Sequence, residues 1–99
     1  MINILRQNEE GVAEARFPDA AIAHEILARA GADTRCLAFI DPYGDTTFNQ
    51  LQIPVLIEEL RALQVSRLEP ELTSRINSLV QFVESAFAEP HTYIKFVGD

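Results

Sequence analysis

The sequence predicts an α+β domain: a mostly antiparallel sheet of about five strands with three helices on one face, in the order ββαββααβ. Three observations carry that reading. Two strings, Asn8-Glu9-Glu10-Gly11 and Asp41-Pro42-Tyr43-Gly44, share a turn grammar with Asx first and Gly fourth. Two long segments, beginning near Pro54 and Pro70, carry apolar residues at helical spacing. The run Thr92-Tyr93-Ile94-Lys95-Phe96-Val97 is rich in β-branched and aromatic residues, as a strand requires.

The elements follow in order. Residues 2–7 and 12–17 flank the first turn and read as a β-hairpin, with Gly11 free to take the positive φ of a hairpin bulge. Ala13, Ala15 and Phe17 alternate with Val12, Glu14 and Arg16, which assigns the first set to the core. Asp19 offers an oxygen to the free amides of a helix start, and Gly31 suits a left-handed helix end. Between them Ile22, Ala23, Ile26, Leu27 and Ala30 form an apolar stripe, from which His24 points away. Residues 36–40 are continuously apolar and read as a central strand. The second turn would return the chain through Thr46-Thr47-Phe48 as a second hairpin, while residues 49–53 fit a strand extension or a helical turn equally well.

Pro54 and Pro70 both suit the first turn of a helix, where the amide they lack has no partner. After the first, Leu56, Ile57, Leu60 and Leu63 face inward and Glu58, Glu59 and Arg61 outward. After the second, Leu72, Ile76, Leu79, Val80, Val83 and Phe87 keep near-ideal spacing, with residues 66–69 as the connection. Glu89-Pro90-His91 ends that helix. The closing strand is too apolar for an open edge and is expected inside the sheet.

A chain of 99 residues, 47% hydrophobic and 23% charged, suits one domain spanning 1–99. Its single cysteine, Cys36, excludes an internal disulfide and reads as a buried apolar side chain. No secretory leader pattern and no run of about 18 apolar residues is present, which predicts a cytoplasmic protein without a membrane partner. Net charge is −7, and the eight Lys and Arg are scattered singly, so direct nucleic-acid binding is not expected.

The polar cluster of residues 41–49 is the candidate binding segment, with Tyr43, Asp41, Asp45, Thr46 and Asn49 as its site residues. Asp41, Asp45 and Asn49 offer oxygens of the kind Ca²⁺ or Mg²⁺ takes, but their spacing departs from the calcium-loop pattern and turn chemistry explains Asp41, Pro42 and Gly44. No metal or cofactor is therefore assigned. Tyr43 at the turn tip fits an exposed docking anchor, or a ring folded over a neighbouring strand. No nucleophile elbow, phosphate loop, zinc helix or paired-cysteine motif is present, and a Cys36–His91 pair has little support. No catalytic residue is assigned.

The string Ile40-Asp41-Pro42-Tyr43-Gly44-Asp45-Thr46, followed by Phe48-Asn49, Leu51-Gln52, Pro54 and Glu58-Glu59-Leu60, together with the closing Tyr93-Ile94-Lys95-Phe96-Val97-Gly98-Asp99, resembles a group of short uncharacterised bacterial proteins. The resemblance covers the middle and end of the chain. It implies a bacterial cytoplasmic domain and carries over no catalytic residue.

The expected function is a non-catalytic protein-interaction domain, an immunity-type or regulatory partner, with homodimerisation compatible with that role. The alternative is a small-ligand or metal-binding enzyme or sensor using the hairpin of residues 41–49, joined by His91.

Overall fold

The computed structural model describes residues 2–66 and 69–98. Within the expected 66–69 connection, Arg67 and Leu68 lie outside the described residues, as does Asp99 of the closing string. The elements are β1 (Asn3–Asn8), β2 (Ala13–Arg16), α1 (Ile22–Arg29), a 3₁₀ turn (Leu37–Phe39), β3 (Asp45–Phe48), α2 (Ile53–Gln64), α3 (Pro70–Phe87) and β4 (Thr92–Val97). The α+β class is correct, with three helices. Among the described residues the sheet has four strands rather than five, in the order β2-β1-β4-β3, and every pairing is antiparallel.

The first turn forms as its residues dictate. Asn8 Oδ1 accepts the amides of Glu10 and Val12, both at 3.0 Å, and the amide of Gly11 donates to the Asn8 carbonyl at 3.0 Å. Gly11 takes φ +82°, where a side chain would be strained. The pairing then skips a residue, since Gln7 faces Ala13 but Arg6 faces Ala15. That bulge breaks the expected inward alternation: Ala13 is exposed, Ala15 half-buried, and of the predicted trio only Phe17 is buried.

β4 lies between β1 and β3, as its apolar sequence required. Thr92, Ile94 and Phe96 are buried, and they share a face with Ile2, Ile4 and Phe48. Over that face α3 packs on β4 and α2 on α3, burying Ile53, Leu56, Leu60, Leu72, Ile76, Leu79, Val80 and Val83. The stripe on α3 ends at Ala86, leaving Phe87 half exposed where an inward position was expected. Among the described residues, no helix is long and apolar enough to cross a membrane.

Three expectations need correction. α1 begins at Ile22 and ends with Ala30 extended (φ −68°, ψ 135°), so Gly31 is not a left-handed cap. The Asp19 carboxylate ahead of it takes a two-pronged bond from Arg75 of α3, at 2.7 and 3.1 Å, alongside the amides of Ala21 and Ile22 at the helix start that the sequence led one to expect. Those bonds hold the Asp19 carboxyl below its usual range.

The predicted central strand at 36–40 is absent. Cys36, Leu37 and Ile40 are buried while Ala38 and Phe39 are exposed, a helical rather than alternating pattern. The amides of Phe39 and Ile40 donate to the carbonyls of Cys36 and Leu37, which closes the 3₁₀ turn. Finally, Glu59 is not a solvated helix residue. Its carboxylate accepts the amides of Arg35 (2.6 Å), Cys36 (3.1 Å) and Leu37 (2.9 Å), occupying donors that a strand would have used.

Candidate functional site

The second turn forms without a hairpin. The amide of Gly44 donates to the Asp41 carbonyl at 3.3 Å, and Asp41 Oδ1 accepts the amide of Tyr43 at 2.9 Å. The amide of Asp41 donates to Thr46 Oγ1 at 3.0 Å, which ties the turn to the strand it introduces. Among the described residues there is no strand upstream to pair with, and β3 pairs only with β4.

What supports this turn is the chain's other end. The amide of Gly98 donates to the Gly44 carbonyl at 2.8 Å. A Cβ at Gly98 would overlap the Pro42 carbonyl and lie 2.9 Å from the Asp41 oxygen, so only glycine allows this approach. The turn string and the closing string thus meet in space. On this platform Tyr43 is 81% exposed, which resolves the two readings of its ring in favour of the open one.

The proposed site residues divide between the two ends of β3. Asp41, Tyr43, Asp45 and Thr46 gather at its start, where Asp45 Oδ2 lies 3.3 Å from Lys95 Nζ. Asn49 sits past its other end, about 13 Å from Asp45 at ~3.3 Å per strand residue. Asp45 and Asn49 therefore do not share a coordination shell, and the hairpin on which the ligand-binding alternative relied is not formed. Among the described residues, no group of three or more His, Cys, Asp or Glu is placed to hold a metal ion.

Asn49 instead organises the entry to α2. Its Oδ1 accepts the amides of Leu51 (3.0 Å) and Gln52 (3.1 Å), while Gln52 Oε1 accepts the amide of Asn49 (2.9 Å). This reciprocal pair is a capping box, and the spacing Asn-x-x-Gln was its signal in the sequence. Gln50 Nε2 lies within 3.0 Å of the carbonyls of Ala86, Glu89 and Thr92, fastening this corner to the end of α3. Nothing in the sequence announces that contact.

His91 does come to Asn49. They line a cleft of about 390 Å³ together with Leu51, Pro90 and Tyr93. His91 holds φ 60°, and its Nδ1 lies 3.5 Å from Glu9 Oε2 of the first turn. Leu51 is 86% exposed at the mouth of this corner.

Cys36 is buried as expected, with Sγ 3.6 Å from the Gln52 carbonyl. Burial, and then the Glu59 charge, push its thiol pKa up, the opposite of what a nucleophilic cysteine needs.

Comparison with family models, curated proteins and solved structures gives no significant match. The functional reading therefore rests on the chain's own geometry.

Proposed function

We propose that the chain is a non-catalytic protein-interaction domain, of the immunity or regulatory kind, that docks through the Tyr43 turn. The observation that carries this reading is an aromatic ring 81% exposed on a turn fastened at four points: by Asp41, Thr46, Gly44 and Gly98. An exposed tyrosine offers a large contact area with few torsions to freeze, and a pinned backbone lowers the entropy lost on docking. Asp41 and Asp45 flank it, so its acidic surroundings favour a partner face that presents donors or positive charge.

The test is a photo-crosslinking residue at position 43 in cells expressing the chain, with the same residue at exposed His24 as control. A discrete protein adduct at 43 that is absent at 24 is expected. Equal labelling at both positions would overturn the reading.

A further inference from the structure

The free edge of β3 carries an interface of its own. The Gly98–Gly44 hydrogen bond sets the alternation of the β3–β4 ladder, turning the backbone groups of Thr46 and Phe48 toward β4 and those of Asp45 and Thr47 outward. Both outward residues are exposed, and among the described residues neither backbone has another partner for those groups. Natural sheets blunt such an edge with bulges, lysines or prolines. β2, at the opposite edge, has a bulge and two charged side chains, Glu14 and Arg16; β3 has one, Asp45, and neither a bulge nor a proline.

We propose that β3 pairs antiparallel with β3 of a second copy about a two-fold axis at Thr46, joining two sheets into one of eight strands. This rests on the reading of the Tyr43 turn as a docking surface and names its partner. Three registers would be symmetric and near the centre of the strand. One centred on Asp45 sets two carboxylates face to face, which is repulsive. One centred on Thr47 needs the backbone of Asn49, whose amide and carbonyl are committed to the capping box and the start of α2. The register centred on Thr46 sets Asp45 against Thr47 of the other copy twice over, using all four outward N–H and C=O groups with no like charges opposed.

That same register brings Tyr43 of each copy level with Asn49 of the other. There lies the cleft of about 390 Å³ between Asn49, Leu51, His91 and Tyr93. A tyrosine ring fits a cleft of that size, and the Asn49 amide and His91 ring offer polar partners for its hydroxyl. Each copy thus has the exposed anchor at one end of its edge strand and a receiving cleft at the other. Two strands and two seated tyrosines bury on the order of 1,000 Å², enough for a micromolar dimer.

Sedimentation equilibrium of the whole chain from about 1 to 500 µM spans the affinity expected of an interface of this size. Wild type is expected to dimerise. Thr47→Pro removes an outward amide that makes no bond in the monomer and is expected to weaken the dimer at least tenfold, as a rough estimate. Tyr43→Ala, at a side chain 81% exposed in the monomer, is expected to weaken it about a hundredfold, since both anchors are lost. In a Cys36→Ser background, Thr46→Cys should form a disulfide-linked dimer on mild oxidation, and Ser74→Cys should not. A monomer at every concentration overturns the proposal, as does a dimer indifferent to both Thr47→Pro and Tyr43→Ala. Monomeric behaviour with a foreign adduct at position 43 overturns the two-fold pairing alone and leaves the docking role intact.

Discussion

Two turns of this chain have the same grammar and different fates. Asn8-x-x-Gly11 and Asp41-x-x-Gly44 both close with an Asx side chain on a nearby amide and the fourth amide on the first carbonyl. Only the first makes a hairpin. Its flanks, β1 and β2, have their amides free to form a ladder. Before the second turn, the amides of Arg35, Cys36 and Leu37 belong to Glu59, and those of Phe39 and Ile40 to the 3₁₀ turn. A turn signal decides four residues. Whether the flanks pair depends on what else competes for their donors.

The strongest way to break this contrast is to remove the competitor. Glu59→Ala leaves three amides without their acceptor in a half-buried place and should cost about 2–4 kcal/mol, judged from bonds to charged groups. Urea unfolding would show it as a lower midpoint at unchanged slope. Hydrogen exchange at residues 35–37 should quicken in the same variant. Unchanged stability and exchange would mean that Glu59 is not what keeps residues 36–40 out of the sheet.

Gly98→Ala comes next in size. The second turn packs its backbone against Gly98, whereas a Cβ at Gly11 of the first would meet no atom within 4 Å. Because the added methyl meets backbone rather than a movable side chain, a loss of about 1–3 kcal/mol is expected, with heteronuclear shift changes centred on residues 41–44. Shifts confined to the closing strand would show that the turn stands without this support.

Much of this molecule was legible in the sequence, and the larger failures share one cause. The α3 stripe, the first hairpin with its Gly11, the central place of β4 and the burial of Cys36 all follow from spacing or from residues adjacent in the chain. The missing strand at 36–40 turned on Glu59, more than twenty residues away. A short apolar run cannot by itself distinguish a buried strand from a buried turn, because both satisfy the same hydrophobic demand. The Asp19–Arg75 pair and the grip of Gln50 on the end of α3 are long-range for the same reason. At the site, local chemistry correctly gave Asp41 and Gly44 to the turn but left the Tyr43 ring between an open and a folded-over position, where the structure has it 81% exposed. It could not place Asn49 beside His91, which depends on how β4 returns to the sheet.

The two turn glycines offer a finer comparison. At Gly11 the obstacle to a side chain is conformational, since φ is +82° in open space, and Gly11→Ala should cost about 1–2 kcal/mol whatever its neighbours are.

At Gly44 φ is not positive, and the obstacle is a single atom: a Cβ would lie 2.7 Å from Asp41 Oδ2. Gly44→Ala should therefore cost less, about 0.5–1 kcal/mol, by displacing the carboxylate from its hold on Tyr43. The distinction shows in a double-mutant cycle. With Asp41→Ala already present the clash is gone, and Gly44→Ala should become neutral or stabilising by roughly 0.4–1 kcal/mol through the unfolded chain's lost freedom. The cost of Gly11→Ala should persist in the equivalent Asn8→Ala background. If instead Gly44→Ala costs the same with and without Asp41, the second turn is strained in its backbone as the first is. The two turns would then differ only in what pairs beside them.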